Sequence, residues 1–270
     1  MKLATWNINS VRSRLERMLD VLERHNLDVL ALQETKCKPE QFPLEELTAR
    51  GYHVAAHGLN QWNGVALISR HELTDIRCEF PNQPGFVKGT PDPSAATKYI
   101  AGEPEARAIG ATIAGTEIWS LYLPNGRALN DPHYYYKLDF FARLRDFASI
   151  KLAENPQTKF AFVGDWNVIP TDADVWDPAA MDGLYLSEAE RAGFFALAEV
   201  GMQEVSRQFA TNYTYWDYQK LRFPKNEGMR IDYVYASPAL AAQAVDGKID
   251  RDERKGQGAS DHVPVIIEFA

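Results

Sequence analysis

Residues 2–33 read KLATWNINSVRSRLERMLDVLERHNLDVLALQ, and the order of apolar positions in this stretch decides the fold class. Residues 2–8 form an apolar run of strand length. From Ser10, a residue type suited to capping a helix, Val11, Leu15, Met18, Leu19 and Leu22 recur at a spacing that gathers them on one helical face. Residues 28–33 are a second apolar run. A strand, a helix and a strand in this order predict a mixed or parallel sheet covered by helices.

The same reading extends outward. Residues 52–56, 64–69, 108–113, 117–123, 160–164, 230–236 and 263–269 are further strand candidates. One helix is predicted after Asp131-Pro132, running to about Glu154, and another after Ser187, with Glu190 completing a capping box. About ten strands with only three long helices exceed what one covered sheet holds. The expectation is therefore an α/β chain folded as a four-layer sandwich, two packed mixed sheets flanked by helices, with residues 1–270 as one domain. Residues 81–104, rich in Gly and Pro, read as a long surface excursion. Thr5-Trp6-Asn7-Ile8 and Asp165-Trp166-Asn167-Val168 echo one another, but four residues are too few to define a repeat.

Composition narrows the class. At 45% hydrophobic and 24% charged, the chain is globular rather than disordered or fibrous. Two cysteines, Cys37 and Cys78, do not make a disulfide framework, and no apolar stretch approaches the roughly 18 residues that span a bilayer. No export leader follows Met1, so a cytoplasmic protein is expected. The net charge of −8 argues against a nucleic-acid partner unless a basic region exists locally. Residues 211–230 supply one candidate, with Lys220, Arg222, Lys225 and Arg230 against Asp217 and Glu227.

Polar residues punctuate the apolar runs. Asn7, Glu34, Tyr122 with Asn125, Asp165 with Asn167, Asp232, and Asp261 with His262 stand where strands end or, for Asp232, inside one. A carboxylate within a strand must face outward or be buried with a partner. A histidine beside an aspartate has a reason to be held and charged, whereas His25, His53, His57, His71 and His133 lack such context and read as structural or surface residues. With no close His pair or Cys ligands, zinc is disfavoured, and carboxylates with amides suit a hard ion. No serine stands in a nucleophile elbow. Metal-assisted hydrolysis of a phosphate ester fits this inventory.

Thr5-Trp6-Asn7-Ile8-Asn9, Leu32-Gln33-Glu34-Thr35-Lys36, Gly64-Val65-Ala66, Tyr122-Leu123-Pro124-Asn125-Gly126, Gly164-Asp165-Trp166-Asn167, Arg230-Ile231-Asp232-Tyr233 and Ser260-Asp261-His262-Val263-Pro264 occur in one order across nearly the whole chain. In that order they resemble the exonuclease III family of abasic-site endonucleases, within the endonuclease/exonuclease/phosphatase superfamily. Residues 170–177 and Tyr215-Trp216-Asp217-Tyr218 resemble its bacterial members rather than the lipid or inositol phosphatases of the superfamily.

The resemblance implies a magnesium-dependent DNA repair nuclease, with manganese as a substitute ion, that cuts duplex DNA 5′ to abasic sites, trims 3′ ends and works as a monomer. Glu34 would hold the metal, with Asn7, Asp261 and Asp165 around it. Asp165, aided by Asn167, would orient and deprotonate the attacking water. His262, paired with Asp232, would stabilise charge on the phosphoryl group, and Tyr122 with Asn125 would position it. Tyr215, Met229 and Ile231 would wall a deoxyribose pocket, Trp216 would bind substrate beside them, and Arg127 would clamp the duplex. The pocket departs from the family pattern at Tyr215 and Met229, and the 81–104 excursion is longer than in the best-known bacterial member, which leaves the balance of endonuclease and exonuclease activity open. Two other readings are carried: the same chemistry on a phospholipid or inositol phosphate, and a non-catalytic nucleic-acid-binding regulator.

Overall fold

The computed structural model describes residues 1–92, 94 and 97–270. In chain order the first six strands are β1 (Lys2–Asn7), β2 (Val29–Gln33), β3 (His53–His57), β4 (Val65–Ser69), β5 (Leu73–Arg77) and β6 (Ala108–Ile113). The next six are β7 (Thr116–Tyr122), β8 (Phe160–Asp165), β9 (Gln203–Glu204), β10 (Asp232–Ala236), β11 (Ala244–Ile249) and β12 (Val265–Phe269). They form two six-stranded sheets, ordered β11-β12-β1-β2-β4-β3 and β5-β6-β7-β8-β10-β9.

Each sheet carries one parallel pair, β1 with β2 and β7 with β8, and its other pairings are antiparallel. Parallel neighbours need a crossover, and the helices supply it: α1 (Leu15–Arg24) joins β1 to β2, and another helix, Pro132–Glu154, joins β7 to β8. With the short helix α2 (Leu44–Thr48) between them in sequence, the second crossover is α3, and Glu188–Glu199 is α4. The Trp-Asn echo is not a structural repeat, because the counterpart of β1 in the second sheet is β7, whereas Trp166 and Asn167 follow β8.

Three apolar layers hold the sandwich together. Leu3, Val29, Ala31, Val65 and Leu67 of the first sheet meet Ile109, Ala111, Ile118, Val163 and Val234 of the second, forming a central core between the sheets. Met18, Leu19, Val21 and Leu22 of α1 cover the outer face of the first sheet with Trp6, Leu30 and Leu32. The outer face of the second sheet is aromatic, with Tyr136, Phe140, Phe141 and Phe147 of α3 and Phe194 of α4 packed on Trp119, Phe162 and Tyr235. The four-layer sandwich expected from the sequence is the observed one.

Several local expectations change. Ser10 does not cap a helix: its φ is 87°, its N–H donates to Glu34 O at 2.7 Å, and the α-helix starts at Leu15 after a 3-10 turn, Arg12–Arg14. Asp232 does not interrupt its strand but opens it, because Arg230 and Ile231 lie before β10. Strands β5, β9 and β11 were not visible as apolar runs, since they are edge or near-edge segments with mostly exposed or half-buried side chains. The excursion is anchored rather than loose, with a Val87–Ile100 bridge and the Phe86 and Tyr99 rings against Tyr136 of α3. Of residues 81–104, Pro93, Ala95 and Ala96 lie outside the described residues.

Candidate active site

Parallel strands bring their carboxyl ends to one edge of a sheet, and antiparallel neighbours bring their amino ends to the same edge. Asn7 ends β1, Glu34 follows β2, Tyr122 ends β7 and Asp165 ends β8, while Asp232 opens β10 and Asp261-His262 precedes β12. Residues separated by more than two hundred positions thus meet at one end of the sandwich.

The Asn7 side-chain amide joins the two sheets. Its Nδ2 donates to Glu34 Oε1 at 2.9 Å and to Asp165 Oδ2 at 3.0 Å. Its Oδ1 accepts from the Asn9 N–H at 3.1 Å, so Asn7 orients the carboxylates with its nitrogen and has its oxygen engaged elsewhere. Asp165 and Asp232 are register partners across β8 and β10. His262 Nδ1 donates to Asp232 Oδ2 at 2.9 Å, and its Nε2 lies 3.7 Å from Asp165 Oδ2. Among the described residues Asp232 Oδ1 is buried without a hydrogen-bond partner, which leaves the His262 ring as the side-chain partner of this carboxylate.

The two central carboxylates have opposite electrostatics. Burial pushes the Asp165 carboxyl up to about 7, with Asp232 and Glu34 adding to the shift and His262 and Asn7 opposing it. Burial would also raise Glu34, but the Lys36 ammonium and the Asn7 amide outweigh it and hold Glu34 below the usual range. For His262 burial works against the charged ring, yet Asp232 and Asp165 prevail and lift it to about 10, so the ring is a cation at neutral pH. Burial, followed by the charge of Glu34, pushes the Tyr122 phenol well above its ordinary value and keeps it protonated as a donor.

Backbone strain gathers here. Asn9, Glu34, Lys36 and Asn167 have φ values of 48°, 50°, 52° and 48°, a region rarely occupied by residues with side chains. The Glu34 turn is held by Thr35 N donating to Gly64 O at 3.1 Å and Lys36 N donating to Asn63 O at 3.0 Å. A Cβ on Gly64 would come within 2.2 Å of Thr35 Oγ1, so that close approach requires glycine.

Two places invite a cation. Glu34, Asn9 and Asp261 form an oxygen-rich corner, where Lys36 Nζ already sits 2.7 Å from Glu34 Oε2 and 2.6 Å from Asn9 Oδ1. Asp261 is tied to this corner by Asn9 Nδ2, which donates to its Oδ1 at 3.0 Å. Asp165, Asp232 and His262 are also compact enough to grip an ion, but there the raised imidazolium already balances the carboxylates. A hard divalent ion fits the Glu34 corner, whose donors are carboxylate and amide oxygens and whose place is marked by an ammonium.

The remaining expected residues divide. Asn125 is exposed on the turn after β7, and its Nδ2 donates to the Tyr185 hydroxyl. Arg127 is exposed and borders a cavity of about 500 Å³ with Trp62, Asn63, Lys88, Arg107 and His133. Tyr215 packs its ring 4.9 Å from His262, and with Met229 and Ile231 it belongs to an apolar cluster beside the catalytic edge. Trp216 is fully buried against Phe223 and offers no surface to a substrate, a correction to its expected place. The basic region 211–230 is also largely spent: Arg230 is completely buried, and Arg222 pairs with Glu227 at 2.8 Å.

Trp176 and Tyr185 complete the apolar cluster and were not singled out from sequence, because neither sits in a periodic segment. Lys36 and Asn9 stood inside quoted motifs without an assigned part. Thr214, whose Oγ1 accepts from the Asp232 N–H at 3.2 Å, left no sequence signal.

Residues 4–262 match the Endonuclease/Exonuclease/phosphatase family, and the chain belongs to it. Over its full length the chain is 29% identical to the Exodeoxyribonuclease III of Haemophilus influenzae, covering 100% of both. It is 27% identical to the DNA repair nuclease APEX1 of Danio rerio, covering 100% of this chain and 82% of that one. Among solved structures, a variant of the 3′ phosphatase NExo from Neisseria bound to a product DNA hairpin matches with a TM-score of 0.88 and 33% identity, over 100% of this chain and 99% of the other. An AP endonuclease from Archaeoglobus fulgidus matches with a TM-score of 0.85 and 30% identity, over 100% and 99%. The family resemblance read from the motifs is borne out.

Proposed function

We propose that this chain is a DNA repair nuclease, a single catalytic domain that acts as a cytoplasmic monomer, uses magnesium or manganese, incises duplex DNA 5′ to abasic sites and trims 3′ ends. The observation that carries the reading is the bridge made by Asn7, whose amide nitrogen donates to both Glu34 and Asp165, the latter beside His262, at one end of the sandwich. The relatives extend it to DNA, since they are named as exodeoxyribonuclease, DNA repair nuclease, AP endonuclease and 3′ phosphatase.

Each residue has work suited to its state. Asp165, with a pKa near neutrality, is matched to accept a proton from an attacking water. The Asn167 N–H donates to Asp165 Oδ1 at 2.9 Å and fixes the carboxylate, leaving Oδ2 to Asn7 and His262. The His262 imidazolium, held by Asp232, stabilises negative charge developing on the phosphoryl oxygens. The Tyr122 phenol and the Asn125 amide donate to the same phosphate. Glu34, with Asp261 and Asn9 behind it, would hold the metal, which supplies Lewis-acid polarisation of the phosphate ester.

Substrate selection follows from shape rather than base edges, because an abasic nucleotide has no base to read and leaves the stack at little cost. The half-buried Tyr215 and Met229 offer an apolar wall to the bare sugar, with the buried Ile231 packed behind them. Arg127, Lys88 and the exposed Trp62 around the neighbouring cavity suit the flanking backbone and an unstacked base. With a net charge of −8, binding should rest on few cations and weaken as salt rises.

The test is cleavage of one end-labelled duplex bearing an abasic analogue, with and without magnesium. A single magnesium-dependent product ending at the lesion supports incision, and a ladder from the 3′ end supports trimming. An intact duplex alongside hydrolysis of a soluble inositol phosphate would overturn the reading.

A further inference from the structure

α3 carries an anomaly on its buried face. Lys137 lies at the three- and four-residue spacing that otherwise gives Phe140, Phe141, Leu144 and Ala148, and its side chain is fully buried. An ammonium has three N–H donors. Here all three have acceptors: Glu190 Oε1 on α4, the Asn167 carbonyl and, at 3.5 Å, the Asn125 carbonyl. Its Nζ also lies 4.9 Å from the ring centre of Tyr185, whose hydroxyl accepts from Asn125.

We infer that Lys137 is a positioning residue for phosphoryl transfer, its ammonium reinforcing the link that Asn167 Nδ2 makes to the Leu123 carbonyl at 3.0 Å, so that the Asn125 amide and Asp165, which the Asn167 N–H fixes, face one phosphate. The inference rests on the function proposed above and deepens it, because the fully buried Lys137 would act only through the turns it holds. Both turns need an anchor. Asn167 has a φ of 48° and Gly126 one of 92°, conformations that neither α-helix nor sheet would hold in place. A Cβ on Gly126 would lie 3.4 Å from Lys137 Cδ, so the turn rests directly on the lysine stem.

Glu190 has a separable part. Its Oε2 accepts from Ser187 N at 3.2 Å and Ser187 Oγ at 2.7 Å, closing the capping box of α4, while Oε1 neutralises the buried ammonium. Glu190 thus makes the buried charge tolerable, and Lys137 delivers the two contacts that reach the site. Stability and catalysis are expected to separate when the two are changed in turn.

Wild type, Lys137→Met, Lys137→Met/Glu190→Leu and Glu190→Gln are compared by melting temperature, affinity for abasic duplex in EDTA, and single-turnover cleavage with magnesium. Lys137→Met strands a buried carboxylate and lowers both melting temperature and rate. In the double variant the stranded charge is gone and the melting temperature recovers in part, short of wild type by the lost capping box of α4, while the rate stays about 10- to 100-fold below wild type, the scale expected of misplaced catalytic groups. DNA affinity remains within about threefold, because phosphate contacts outside the turns are untouched. Glu190→Gln keeps the lysine contacts and retains most of the rate despite a lower melting temperature. Recovery of rate together with melting temperature in the double variant overturns the inference, as does a rate loss in Glu190→Gln equal to that of Lys137→Met. An inactive wild type removes the proposed function itself and the inference with it.

Discussion

Glu34 and Asp165 occupy corresponding places in the two sheets. Each stands at the carboxyl end of the second strand of a parallel pair, and each accepts a hydrogen bond from the same Asn7 nitrogen. Yet the surroundings drive them apart. Against the burial that would raise it, Lys36 and Asn7 hold Glu34 below the usual carboxylate range, whereas burial beside Asp232 lifts Asp165 to about 7. Two like groups whose environments separate their proton affinities take different roles, one as a permanent anion for a cation and the other as a base near neutral pH. One architecture repeated in two sheets thus becomes asymmetric through the residues beside its strand ends.

The largest effect should come from removing the base. Asp165→Asn preserves size and loses the proton acceptor, and cleavage should fall by about 10²–10⁴-fold, the usual worth of general-base help, while DNA affinity without metal is largely kept. Glu34→Gln should instead raise the magnesium concentration needed for half-maximal rate, so a metal titration separates the two. Equal shifts in metal requirement for both variants would erase the distinction between them.

A smaller but sharper effect concerns His262. Its charge depends on Asp232, so Asp232→Asn should lower the imidazole pKa from about 10 toward its ordinary value, as read by NMR titration of the metal-free protein. His262→Asn should reduce cleavage by about 10²–10³-fold, as expected for loss of a preorganised charge facing the phosphate. An imidazole that still titrates near 10 in Asp232→Asn would show that the pair does not govern the ring.

The same asymmetry explains what the sequence could disclose. Strands β1, β2, β4, β6, β7 and β8 are buried along nearly their whole length and read as apolar runs, so both sheet centres were legible. The edge strands β5 and β11 carry Asp75, Arg77, Asp246 and Lys248 and gave no such signal. Glu34, Asp165, Asp232 and His262 each had an ordinary structural reading alone, and stood out because the motifs that hold them occur in one order along nearly the whole chain. Lys137 was lost for the opposite reason, since a lysine in a helix reads as solvated unless the whole buried stripe is traced through it. Trp216 was expected at the substrate from the Tyr215-Trp216-Asp217-Tyr218 motif, which does not disclose that its side chain is buried.

A third carboxylate calibrates the comparison, and it yields the smallest expected effect. Asp250 directly follows β11, where Arg24 NH2 donates to its Oδ2 at 2.5 Å and His25 Nε2 lies 2.7 Å from the same oxygen. Burial would raise this carboxyl, but His25 and Arg24 prevail and lower it from 3.8 to about 2. A carboxylate with a depressed folded pKa stabilises the fold above its unfolded value and loses that contribution as pH falls through the folded one. Because the Arg24 side chain is 46% exposed, solvent screens the pair, and Asp250→Asn should cost only about 1 kcal/mol at pH 7. The difference from wild type in urea unfolding should shrink between pH 4 and pH 2, while other carboxylates, common to both proteins, cancel from it. Asp165 behaves with the reverse sign: its raised pKa makes ionisation unfavourable in the folded state, so Asp165→Asn should stabilise the protein increasingly as pH rises from about 4 to about 7. If both variants destabilise at neutral pH with the same acid dependence, Asp165 is held for structure like Asp250, and its assignment as the base fails.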